Sequence, residues 1–118
     1  ADEICRISIP FLIVMHIIPV RISVTDYTTP DDLDRYFSES WKRCGDNKIN
    51  FMFDIRQCRN VSLRRLLGMR SVLNKHRVNS RAHIDHSTVV VASNATRNIL
   101  RMGLAIIRTE RPVKVIKV

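Results

Sequence analysis

From Thr29 to the end of the chain, segments with the period of a helix and segments with the period of a strand take turns. The first helix is the most sharply written. Thr29 can cap it, Pro30 suits the first helical position, and Asp31 and Asp32 sit where the helix dipole favours negative charge. Leu33, Tyr36, Phe37, Trp41 and Cys44 then recur at helical spacing, and Gly45 supplies the stop. Next, Ile49, Phe51, Phe53 and Ile55 alternate with Asn50, Met52 and Asp54, the pattern of a strand with one face buried.

A polar loop, Arg56–Val61, leads to Ser62, which can cap a second helix with Leu63, Leu66, Leu67 and Leu73 inward. That helix is expected to end near Lys75, His76 and Arg77, with 78–86 as polar loop. Ser87–Ala92, with Val89, Val90 and Val91 in succession, reads as a strand buried on both faces. Ser93 or Asn94 caps a third helix expected to reach Met102 and stop at Gly103, and Pro112 introduces a last strand, Val113–Val118. Upstream, Ile4–Ile9 and the apolar run from Phe11 to Ile18, continued by Val20, Ile22 and Val24, read as two strands with Pro10 and Pro19 at breaks or edges.

The expectation is one α/β domain over residues 1–118, in the order ββαβαβαβ. It has a mixed sheet of about five strands, largely parallel towards the C-terminus, and helices mainly on one face. Its expected core includes Phe51, Phe53, Leu66, Leu67, Val89, Val91 and Val115. A chain of 118 residues is of one-domain size and can bury a core without staples. The three cysteines, Cys5, Cys44 and Cys58, are an odd number without CxxC spacing, so reduced thiols in an intracellular setting fit better than a disulfide framework. The run Ile9–Val20 is too short and too interrupted to span a bilayer, and it lacks the marks of a signal peptide.

Charge is unevenly spread. Residues 1–54 carry six Lys or Arg against nine Asp or Glu, a balance of −3, whereas residues 55–118 carry fourteen against two, a balance of +12. Such asymmetry points to an acidic partner or to a generally solvated basic face. All seven aromatic residues lie at or before Phe53. Base-stacking recognition needs aromatics among the basic groups, so any nucleic-acid contact is expected to be to phosphates, nonspecific and salt-sensitive.

Element order and local sequence resemble the STAS family, the anti-sigma-factor-antagonist-like fold. The resemblance rests on Phe51-Met52-Phe53-Asp54-Ile55 followed by a loop and the Ser62 helix start. Val89-Val90-Val91, the segment Asn94–Met102 with Gly103-Leu104, and the closing Arg111-Pro112-Val113 strand complete it. It covers most of the chain. It implies a binding module without catalytic machinery, of a kind sometimes switched by phosphorylation of a serine at the start of the second helix and sometimes binding nucleotides. The family's Asp-Ser-x-Gly pattern is absent, because the helix here opens Val61-Ser62-Leu63-Arg64, and the usual last helix is missing from the sequence.

Ser62 is therefore the candidate site, with Arg56, Arg59, Arg64 and Arg65 as its basic surroundings. A helix start offers free amides and a positive dipole end, and guanidinium groups add charge-assisted hydrogen bonds to a phosphate or carboxylate. The same residues also read as an ordinary capping serine among solvated arginines. His76, His83, Asp85 and His86 lack the regular spacing of a metal site. Gly45, Gly68 and Gly103 are isolated, so no phosphate-cradling loop is present, and no nucleophile elbow or HExxH motif occurs. The expected function is a non-enzymatic adaptor domain without cofactor, intracellular and cytoplasmic, that docks a protein partner with an acidic surface. The alternative is a basic structural component of a virion or nucleoprotein particle.

Overall fold

The computed structural model describes residues 17–118, so the expected strand Ile4–Ile9, the start of the apolar run and Cys5 lie outside the described residues. Apolar side chains at every second position of Ile17–Ser23 make β1, with Ile18 and Ile22 buried. Thr29 caps α1, Pro30–Cys44, and the cap is reciprocal: Thr29 Oγ1 accepts from the Asp32 amide at 3.1 Å while the Asp32 carboxylate accepts from the Thr29 amide at 3.0 Å. Gly45 ends the helix at φ 56°, a backbone angle that glycine adopts without cost. Lys48–Asp54 forms β2, and Ile49 and Phe51 are almost fully buried beneath α1.

Where one second helix is expected, three short ones form: α2, Leu63–Leu67; α3, Arg70–Lys75; and α4, Arg77–His83. The first break falls at Gly68, a poor helix former, and the second at His76, which turns inward and is buried. Helix α4 replaces the expected polar loop. It has no buried residue, and Val78 is 80% exposed, so no apolar stripe marks it in the sequence. Polar contacts hold it: Arg77 and Arg81 both pair with Glu110, and the Lys48 ammonium donates to the Ala82 carbonyl at 2.7 Å.

Strand β3 spans Ile84–Val91 and so begins three residues before the expected Ser87. Its register against β2 slips by one residue, from Ile49 opposite Ile84 to Asn50 opposite His86. The bulge turns Ile84 to the same face as Ser87, Val89 and Val91 and reverses the alternation within one strand. Helix α5, Asn94–Ile107, is capped by Ser93 and runs through Gly103, the expected stop. Val113–Lys117 forms β4.

Among the described residues the sheet has four strands in the order β1-β2-β3-β4, and every pairing is parallel, so this part of the sheet is not mixed. Sequential parallel order means each crossover steps the same way, and right-handed crossovers then place all helices on one face. The packing agrees. One cluster joins Ile18, Ile22, Ile49, Phe51 and Ile84 to Phe37 of α1 and Val72 of α3. A second joins Ile55, Val89 and Val91 to Leu100 of α5. Phe51, Val89 and Val91 of the expected core are buried, while Phe53, Leu66 and Val115 pack against it half-buried, and Leu67, though expected inward, is half-buried and belongs to neither cluster.

Candidate functional site

Ser62 lies in extended backbone just before α2, and its Oγ accepts from the Arg65 amide at 3.1 Å. The hydroxyl is thus engaged as a helix cap, on a helix of only five residues. The arginines around it separate into two kinds. Arg56 is turned back onto β2: its Nε and Nη2 donate to the two Asp54 oxygens at 2.9 and 2.7 Å, and its amide donates to Oδ1 at 3.1 Å. Arg21 of β1 donates to the same carboxylate at 2.6 Å. These bonds, the Arg56 side chain first, hold the Asp54 carboxyl well below the usual carboxylate range.

Arg65 is also used within the fold. Its Nη2 donates to the carbonyls of Thr25, Asp26 and Thr28 at 2.9, 2.8 and 3.3 Å, and its Nη1 reaches Asp26 Oδ1 at 3.3 Å. Asp26 in turn accepts from the amides of Asn60 and Arg59, each at 3.0 Å. Those two amides, then Arg65, depress the Asp26 pKa. The chain thereby supplies an anion of its own to the amides preceding α2 and to the Arg65 guanidinium within it.

Arg59 and Arg64 remain exposed, and among the described residues neither side chain has an ion pair. Arg64 lines a shallow depression with Tyr27, Thr28, Ser62, Gly68 and Met69. Tyr27 is 91% exposed. Sequence reasoning missed both Tyr27 and Asp26. An aspartate between a strand and a helix is a readable turn residue, but its partners lie 33 to 39 positions away.

His76, His83 and His86 do not converge. His76 is buried, His83 stacks on Trp41 with centroids 5.9 Å apart, and His86 pairs with Asp85 at 2.8 Å. Among the described residues no His, Cys, Asp or Glu cluster is arranged to hold a metal. Cys44 and Cys58 are free thiols, both pushed up in pKa by burial, and Cys58 Sγ donates to the Val24 carbonyl at 3.2 Å. No described helix is long and apolar enough to cross a membrane. Comparison with family models, curated proteins and solved structures finds no match to this chain.

Proposed function

We propose that this chain is a non-enzymatic, STAS-like interaction domain that docks a protein with an acidic surface through the start of α2. The observation that carries the reading is the division among the arginines. Arg56 and Arg65 are spent on Asp54 and Asp26, whereas Arg59 and Arg64 are exposed and unpaired, and Arg64 shares its depression with a fully presented Tyr27. Tyrosine and arginine are among the side chains most enriched in energetically dominant interface contacts. Ser62 lines the same depression as Tyr27 and Arg64, where a phosphate on its hydroxyl would place negative charge at the start of α2 and beside Arg64.

A second reading, a basic structural component of a nucleoprotein or virion, draws on different residues. Arg101, Lys114 and Lys117 are exposed without an ion pair among the described residues. Phosphate contacts made by such groups need no shaped surface and fade steeply with salt.

The test is capture of partners at low and high salt by the wild-type chain, the Arg59→Ala/Arg64→Ala variant and a Lys114→Ala/Lys117→Ala variant. The docking reading expects a salt-resistant protein partner lost about tenfold in the arginine variant, as for two charge-assisted contacts removed together. Association that disappears in high salt and depends on the two lysines overturns it in favour of the second reading.

A further inference from the structure

Beneath α2 and α3 the two core clusters, which share Val24 and Phe53, do not fill the space where they meet. Between them lies a pocket of about 160 Å³, with Phe37, Val72 and Leu100 among its buried walls. The remaining apolar walls reveal the same space from the other side. Leu33, Phe53, Leu66, Met69, Leu73 and Leu104 occupy positions that line this interior, yet each is only half-buried. The broken second helix explains why. One continuous helix would lay an unbroken leucine row over the sheet; with the helix interrupted at Gly68, α2 sets Leu63 and Leu66 against Gly103 of α5, and Phe53 and Val89 are left lining the pocket.

We infer that this pocket is a binding site for a small uncharged apolar molecule, about the size of a single aromatic ring or a short hydrocarbon. A closed apolar cavity of about 150 Å³ stays dry and accepts molecules of that size, and this pocket offers a comparable volume behind an open mouth. The polar groups of the wall are largely engaged elsewhere: the Cys58 thiol is turned to the Val24 carbonyl, the Arg65 guanidinium to its ring of carbonyls and Asp26, and Ser62 Oγ accepts from the Arg65 amide. A charged ligand would be stripped of water without compensation. Of the lining residues only Ser62 is exposed, which sets the mouth at the start of α2. The inference is independent of any partner bound to Arg59 and Arg64, since it rests on the walls and not on the rim.

The experiment is a titration of the full chain, methyl-labelled with carbon-13, with benzene and separately with benzoate. Saturable shifts confined to the methyls of Leu66, Met69, Leu73 and Leu104 are expected with benzene, and at least tenfold weaker binding with benzoate. Leu73→Phe and Leu104→Phe each fill the pocket and are expected to weaken benzene binding at least tenfold. Whichever variant keeps the wild-type spectrum elsewhere carries that arm, and the shift map of the wild-type chain decides the matter if neither folds. Absence of saturable shifts up to the solubility of benzene overturns the proposal. So do shifts scattered over the surface, benzoate binding as tightly as benzene, or unchanged benzene affinity in a folded filling variant.

Discussion

The indole N–H of Trp41 donates to Nδ1 of His76 at 3.0 Å, joining the last turns of α1 to the junction of α3 and α4. Because Nδ1 accepts, the ring proton belongs on Nε2, which faces Asp34 Oδ1 at 2.5 Å. Asp34 also receives the Lys75 ammonium at 2.7 Å, and its carboxyl is lowered in pKa by Lys75 first and His76 second. A buried imidazole is in this way satisfied at both nitrogens. Trp41→Phe keeps an aromatic body against Phe37 and Phe51 but leaves Nδ1 buried without a donor. It should cost about 1–3 kcal/mol, the range for orphaning a buried polar group. Urea denaturation measures the loss, and nitrogen-15 shifts of His76 should report the Nε2–H tautomer in the wild-type chain. A loss under about 0.5 kcal/mol, below even the usual net value of a hydrogen bond, would mean Nδ1 is not left orphaned by the substitution.

What the sequence made legible follows from where hydrophobic period is the deciding force. Helix α1 and strand β2 were readable because each has an apolar face of fixed period and a recognisable cap or stop. Helix α4 was not, since it is held by Glu110, Lys48 and the His83–Trp41 stack rather than by an apolar stripe. The beginning of β3 was hidden by its bulge, which shifts Ile84 out of phase with Val89 and Val91. Gly103 was misread as a stop because its real constraint is a neighbour 37 positions earlier, Leu66.

The candidate site shows the same division. Ser62 as a cap was local chemistry and therefore visible. Which arginines stay free was decided by Asp26 and Asp54, and only the fold brings Asp26 to Arg65 and Arg21 to Asp54. A run of basic residues in sequence accordingly overstates the basic surface available to a partner.

Asp54 makes the fold sensitive to acid. Its folded pKa lies below the unfolded value of about 3.9, so the unfolded state takes up its proton first as pH falls. Its stabilisation is therefore complete above about pH 5 and shrinks progressively below about pH 4, towards the depressed folded value. Asp54→Asn removes the titration while keeping a similar shape. The gap in thermal stability between the wild-type chain and this variant should be constant from pH 5 to 7 and should narrow towards pH 2. A gap that stays constant down to pH 2 would show that the Arg56 and Arg21 contacts add no preference for the charged form.

The Ser62 cap can be separated from its arginine neighbours. Ser62→Ala removes the acceptor of the Arg65 amide and should cost about 1 kcal/mol. Arg59→Ala/Arg64→Ala should leave the melting temperature nearly unchanged, because exposed unpaired arginines contribute little to stability. Arg65→Ala should behave in the opposite way, lowering the melting temperature by releasing three carbonyls and Asp26 together. Thermal melts of the three variants at one ionic strength check the ordering. If Arg59→Ala/Arg64→Ala melts as low as Arg65→Ala, the division between internal and free arginines is wrong.

Gly103 and Leu66 are coupled through space, and the sign of the coupling is predictable. A β-carbon at Gly103 would stand 2.1 Å from Leu66 Cδ2 and 3.0 Å from its Cγ. Alanine at 103 gains up to about 1 kcal/mol of helix propensity inside α5, but it must displace the Leu66 side chain, and overpacking of this kind costs about 1–3 kcal/mol. The δ-methyl can swing towards the neighbouring pocket, whereas the γ-carbon moves only if α2 moves with it. The net expectation for Gly103→Ala is a loss of about 1 kcal/mol. With Leu66→Ala already in place the obstruction is gone, and the same substitution should now stabilise by up to about 1 kcal/mol. A double-mutant cycle by urea denaturation reads the reversal directly as a coupling of about 1–3 kcal/mol, within the range for residues in contact. Additivity within about 0.3 kcal/mol would show that α2 does not rest on Gly103, and the close approach of the two helices would have to be abandoned.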